Sequence, residues 1–173
     1  INIAGKDLSY INGAFGWVTN ADLCPDGATF YLDDIKFEAD ATLKPEVKKQ
    51  EGIPFYVYAD RGSVTNHFIP SGWMGDYGDI KYDGASKEDP YLGGSCIKII
   101  YSGLGTQGAR WAGIYWQQPA NNWGTVDAGY DLSRATQLTF WARGAKGAER
   151  IEEFKVGGIM SEFSDSDTAA IGP

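Results

Sequence analysis

Histidine is nearly missing from this chain: His67 is the only one in 173 residues. Cysteine is almost as scarce, with Cys24 and Cys96 alone, too few for a disulfide framework or a zinc site. No Ser or Cys sits in a recognisable nucleophile motif, so nothing supports a Ser-His-Asp or Cys-His centre. His67, beside Phe68 and Pro70, reads as a structural residue. No apolar run approaches the roughly 20 residues that span a bilayer, so no membrane partner is expected. Surplus positive charge is also lacking, because 15 Lys and Arg face 23 Asp and Glu for a net charge of −8. Nucleic-acid binding draws on a cationic footprint that releases phosphate counterions, which removes that class of partner. Ile1 opens directly into strand-like sequence, so no signal peptide is read and the compartment must be inferred indirectly.

What the chain does have is aromatic and turn-forming sequence: six Trp, ten Tyr and 23 Gly. Seven segments carry β-branched or aromatic residues, most of them bounded by Gly, Pro, Asn or Asp. They are Ala14–Thr19, Thr29–Glu38, Phe55–Asp60, Cys96–Tyr101, Trp111–Gln118, Gln137–Arg143 and Glu152–Gly157. None of the longer stretches sustains the apolar spacing of an amphipathic helix. Ala41–Gln50 comes nearest, but Pro45 interrupts it and its few apolar residues make no wide stripe. An all-β fold is predicted. Ala39–Pro54, rich in Lys, Glu and Pro, reads as a linker between a short piece, residues 1–38, and a longer one, residues 55–173. The short piece has too little apolar sequence to fold alone and must pack against something. If Phe30–Phe37 pairs antiparallel with Cys96–Tyr101, the two cysteines lie at opposite ends of that ladder. A disulfide needs their Cα atoms within about 7 Å, so two buried thiols are expected instead.

Several motifs invite sharper readings. Gly103-Leu104-Gly105-Thr106-Gln107-Gly108 matches G-x-G-x-x-G, but another strand follows it where the dinucleotide fingerprint needs a helix N-terminus. A glycine hairpin explains it. Asp33-Asp34 and Glu152-Glu153 are adjacent on strands, and alternation sends adjacent side chains to opposite faces, away from one glycosidic bond. Asp165-Ser166-Asp167 starts like an EF-hand loop but lacks its Gly and terminal Glu.

Phe30-Tyr31-Leu32-Asp33-Asp34-Ile35-Lys36-Phe37 is more specific. The pattern resembles the closing strand of jelly-roll carbohydrate-binding modules of secreted bacterial polysaccharide-degrading enzymes. Leu138–Gly144 and Phe154–Gly158 resemble consecutive central strands of such modules, and Ile3–Ser9 the segment leading into the penultimate strand. The resemblance implies a two-sheet antiparallel β-sandwich, a jelly roll, with strands in permuted order: its first-strand signal, Pro54–Asp60, arrives after the linker. The family's further strand, with a Trp and a Tyr, has no counterpart before Ile1. Two arrangements are open: a circular permutant whose short piece completes its own sandwich as a monomer, or a fragment of two tandem modules that completes itself as a strand-exchanged dimer. The resemblance also implies structural Ca²⁺ held by Asp33 or Asp34 with Asp60, an extracellular location and a possible neighbouring catalytic domain. Jelly-roll glucanases usually show an acidic pattern such as E-x-D-x-x-E, absent here, so the module is expected not to be an enzyme.

Alternation then sorts candidate ligand residues. Leu138 and Phe140 face the core, leaving Thr139, Trp141 and Arg143 outside; Phe154 and Val156 face inward; Trp111–Gln118 is ambiguous. Trp73 and Trp123 fall in loop-like sequence, where an exposed indole is hard to explain as core. The expected function is non-catalytic binding of a plant or microbial polysaccharide, a β-glucan or relative, through Trp73, Trp116, Gln118, Trp123, Trp141 and Arg143. Aromatic faces stack sugar rings and planar polar groups bind hydroxyls. The competing readings are a calcium-stabilised adhesion module without sugar binding, and a small glycanase or lyase.

Overall fold

A long central strand organises the molecule, whose residues 1–39 and 52–172 are described by a computed structural model. This strand, β2 (Ala28–Glu38), pairs along one side with β8 (Gln137–Gly144). Its other side is shared: Ala28–Leu32 pair with β6 (Cys96–Tyr101) and Ile35–Phe37 with β3 (Phe55–Tyr58). Beyond β6 lies β5 (Ile80–Ser86). The second sheet runs β10 (Ala169–Ile171), β9 (Glu153–Val156), β1 (Gly13–Asn20), β7 (Trp111–Gln117), β4 (Ile69–Gly75). All strand pairs are antiparallel, and the fold is an all-β two-sheet sandwich. Between β4 and β5 stands one 3-10 turn, Tyr77–Asp79.

The sequence dictates the layering. In β2 the inward residues are Phe30 and Leu32, then Ile35 and Phe37, all buried. Strict alternation would put the second pair on the other face. A bulge absorbs the change: the register against β8 passes from Asp33↔Trp141 to Lys36↔Thr139, one extra residue on β2, and Asp34 takes a positive φ of 49°. In β7, Ile114 and Trp116 both face the core and are buried, which resolves its ambiguous alternation. The compensating irregularities lie in its neighbours, between Gly13 and Phe15 of β1 and between Pro70 and Gly72 of β4. Phe15 binds the layers together, lying edge-on to Trp116 at 5.5 Å and to Phe140 at 5.1 Å and stacking on Phe154 at 5.8 Å. Trp17 meets Phe30 across the sandwich at 5.1 Å. One apolar cluster therefore takes residues from both sides of the linker. Of that linker, residues 40–51 lie outside the described residues.

Three strands have no counterpart among the seven expected ones: β4, β5 and β10. Each is the edge of a sheet. Edge strands tolerate Pro and Gly and need only one partly buried face, so their apolar pattern is weak. Pro70, Gly72 and Gly75 in β4, and Gly84 in β5, are of this kind.

Candidate functional site

On the outer face of the β2-centred sheet, cross-strand pairing sets Arg143 (β8), Tyr31 (β2), Lys98 (β6) and Asp83 (β5) in one row, with Trp141 beside Asp33 in the next. The Arg143 guanidinium lies 3.8 Å from the centre of the Tyr31 ring, and Lys98 Nζ stands 5.7 Å from it. Tyr31 donates its hydroxyl hydrogen to Glu88 Oε2 at 2.6 Å, while Lys98 donates to Glu88 Oε1 at 2.5 Å. That bond to Glu88, aided by burial, holds the Tyr31 hydroxyl above its ordinary pKa; the Lys98 ammonium holds the Glu88 carboxyl below its own. Arg143 also donates to the Glu88 carbonyl at 2.7 Å, with the Asp89 carboxylate 3.9 Å from its Nε.

Residues 87–95, between β5 and β6, fold over this face and bring Tyr91 onto Trp141. The two rings stack with centroids 3.6 Å apart and planes 21° from parallel. Both remain about half exposed, at 52% and 49%. Under the loop, Tyr31, Leu32, Asp33, Asp89, Tyr91, Trp141 and Arg143 line a cleft of about 330 Å³, within the ordinary size range of small-molecule sites, roughly 300–1,000 Å³.

Two carboxylates pin the loop. Asp33 Oδ2 accepts the backbone N–H groups of Tyr91 at 2.8 Å and Leu92 at 3.0 Å, and its Oδ1 accepts Asp34 N–H. Asp60 Oδ2 accepts Gly94 N–H at 2.9 Å, while Oδ1 takes Arg61 N–H and the Ser95 hydroxyl. Burial pushes the Asp33 carboxyl above its ordinary pKa against the pull of these bonds. The bond from Ser95 leads those that hold Asp60 below its own. Gly93 passes beside Asp60 with φ of +67°, where a Cβ would stand 2.7 Å from Oδ2, so only glycine suits that position.

The residues expected to form a calcium set are each engaged with groups of the protein itself. Asp33 and Asp60 spend both carboxylate oxygens on protein donors. Asp34 points to Lys36 Nζ at 2.9 Å, on the outer face, because the bulge overrides the alternation that would send it inward. Among the described residues, no three His, Cys, Asp or Glu side chains are grouped so as to hold a metal ion.

The six expected ligand residues do not share one trough. Trp116 is 1% exposed, packed between Phe15 and Tyr82, and cannot offer a face to a ligand. Trp73 lies on β4, not in a loop, and packs edge-on to Tyr82 at the margin of the sandwich. Trp123 packs edge-on to Tyr115 at 6.2 Å. Tyr115 pairs with Gly16 and Gly72 on the outer face of the other sheet, so Trp123 and Trp141 lie on opposite sides of the molecule. Gln118 follows β7, half-buried, its main chain tied to Asn12 and Asn122. Only Trp141 and Arg143 come together. Tyr91, Tyr31 and Asp89 were missing from the sequence-derived set; the signal for Tyr91 is its place in Asp89-Pro90-Tyr91-Leu92-Gly93-Gly94, an aromatic between turn residues.

Compared with protein-family models, curated proteins and solved structures, the chain finds no match.

Proposed function

We propose that this protein is a non-catalytic carbohydrate-binding module that takes a neutral polysaccharide, a β-glucan or a related glycan, in the cleft under residues 87–95. The observation that carries the reading is the half-exposed Tyr91–Trp141 stack beside Arg143 and Asp89. A sugar presents an apolar ring face and a rim of hydroxyls. The first suits a flat aromatic surface and the second suits planar guanidinium and carboxylate groups. A net charge of −8 disfavours polyanionic glycans and supports a neutral one. The sandwich agrees with the jelly-roll resemblance of the Phe30–Phe37 strand, and with it goes the reading of a secreted bacterial accessory module beside a catalytic domain.

Affinity electrophoresis through a panel of soluble β-glucans tests this. Wild-type protein should be retarded by at least one glycan, Trp141→Ala should run as in the sugar-free gel, and Trp123→Ala should behave as wild type. Equal retardation of wild type and Trp141→Ala would remove the cleft from the binding site. Absence of binding across a glycan array would instead favour the adhesion reading, and release of reducing ends would make the protein an enzyme.

A further inference from the structure

We infer that Arg143 and Asp89 together read a pair of hydroxyls on adjacent ring carbons, so that the cleft selects β-glucans whose 2- and 3-hydroxyls are both unsubstituted, as in 1,4-linked chains, over 1,3-linked ones. The inference rests on the cleft under residues 87–95 being the glycan site, and it names what that site distinguishes.

The two side chains approach each other without closing. Arg143 Nε and Asp89 Oδ2 stand 3.9 Å apart, beyond hydrogen-bond reach. The guanidinium is held where it is: it lies 3.8 Å from the centre of the Tyr31 ring and donates from Nη2 to the Glu88 carbonyl at 2.7 Å. Asp89 is held as well. Its N–H donates to the Lys87 carbonyl at 3.0 Å, and it takes a φ of 54° directly before Pro90, where extended backbone is favoured. A non-glycine residue kept in the left-handed region is strained, and such strain persists where the surroundings impose it, commonly at ligand sites. The Asp89 side chain is 89% exposed, which leaves its carboxylate open to a ligand.

A gap of that width between one donor and one acceptor fits a diol. Two equatorial hydroxyl oxygens on adjacent ring carbons stand about 2.8 Å apart, close to the separation of hydrogen-bonded oxygens. One accepts from Nε–H while the other donates to Oδ2, and the four atoms form a trapezium whose long side is the observed 3.9 Å. A lone hydroxyl fills only half of it. Both protein groups are charged, so both bonds are of the stronger kind. The Tyr91–Trp141 stack supplies the orientation, because a pyranose lying flat on an aromatic face turns its equatorial hydroxyls outward in the ring plane. Arg143 lies two residues beyond Trp141 on β8, and Asp89 two residues before Tyr91 in the loop, so strand and loop each give one aromatic and one polar group. Linkage then decides. An internal 1,4-linked glucose keeps its 2- and 3-hydroxyls, whereas a 1,3-linked one has spent the 3-hydroxyl in the chain and has no adjacent pair left. A site built for a hydroxyl rejects a ligand without it, because the site's own polar groups stay unpaired.

Affinity electrophoresis through a soluble mixed-linkage 1,3-1,4-β-glucan and through a linear 1,3-β-glucan tests this. Wild type should bind the first about tenfold more tightly than the second, or better. Periodate cleaves adjacent diols, so periodate followed by borohydride should abolish retardation by the mixed-linkage chain. Asp89→Ala should bring affinity for the mixed-linkage chain down to that for the 1,3-linked chain, with the thermal midpoint unchanged. Equal wild-type affinity for the two chains, or full selectivity in Asp89→Ala, would overturn the inference; retardation that Trp141→Ala abolishes would then still keep the cleft as the glycan site. No retardation by any glycan, or retardation that survives Trp141→Ala, would overturn both.

Discussion

Tyr91 lies flat against Trp141 with 3.6 Å between ring centroids, joining a loop to a strand that no main-chain pairing connects. Because both rings stay half exposed, removing one should cost ligand before it costs fold. Trp141→Ala is expected to lower glycan affinity at least tenfold, about 1.4 kcal/mol, with little change in the thermal midpoint. Trp116→Ala is the contrast: it empties a fully buried site between Phe15 and Tyr82 and should destabilise by about 3–5 kcal/mol. Chemical denaturation and affinity electrophoresis on both variants separate the two roles.

The reasons for what sequence could tell are visible in particular residues. Interior strands such as β2 and β6 carry apolar residues over a buried face along most of their length, and their bounds are legible to within a residue or so. The edge strands β4, β5 and β10 are not, since one open side relaxes the pattern. Trp141 and Arg143 could be placed outside because Leu138 and Phe140 mark the inner face of β8. Trp116 could not be sorted, because alternation in β7 fits either face until the neighbours' bulges are known. The shift from Phe30 and Leu32 to Ile35 and Phe37 was a readable sign of the bulge at Asp33-Asp34. Tyr91 reaches Trp141 through bonds to Asp33 and Asp60, contacts distant in sequence that no local pattern carries.

Those bonds make a second prediction. Asp33→Ala would leave the Tyr91 and Leu92 N–H groups without their acceptor. The two part-buried bonds go to a charged acceptor, so losing them costs about 1–3 kcal/mol, and the loop should release Tyr91 from Trp141. The variant should lose glycan retention together with some stability. EDTA, by contrast, should leave the wild-type thermal midpoint unchanged, because N–H and O–H donors of the protein already hold the Asp33 and Asp60 carboxylates in place. A fall of several degrees on chelation would show that a cation does structural work the carboxylate bonds do not.

Alkaline pH should unfold the protein through its tyrosines. Burial pushes Tyr58 from an ordinary pKa of 10.0 up to about 12, and Tyr82 and Tyr115 are raised by burial as well. An acid whose pKa is higher in the folded state keeps its proton there while the unfolded chain has lost it. Its contribution is whole below pH 10 and fades as pH climbs from 10 towards 12. The thermal midpoint should therefore change little with these groups from pH 8 to 10, then drop. Absorbance at 295 nm should show late-ionising tyrosines that ionise together on unfolding. In Tyr58→Phe the drop between pH 10 and 12 should be shallower; an unchanged slope would remove Tyr58 from the account.

Cys24 and Cys96 give the last prediction, on redox behaviour. Both are buried free thiols. Cys24 Sγ donates to the Arg150 carbonyl at 3.0 Å and Cys96 Sγ to the Glu88 carbonyl at 3.7 Å, so each is held at its own end of the β2–β6 ladder. Burial also raises the Cys96 thiol pKa, which lowers the thiolate fraction that reacts. Ellman's reagent should find little or no fast-reacting thiol in the native protein and two per chain in guanidinium, and dithiothreitol should not shift the thermal midpoint. Two thiols reacting at once in buffer would mean that both strand ends open readily, and none reacting after denaturation would mean the pair is oxidised. Either result would contradict the burial and separation that the ladder imposes on these two side chains.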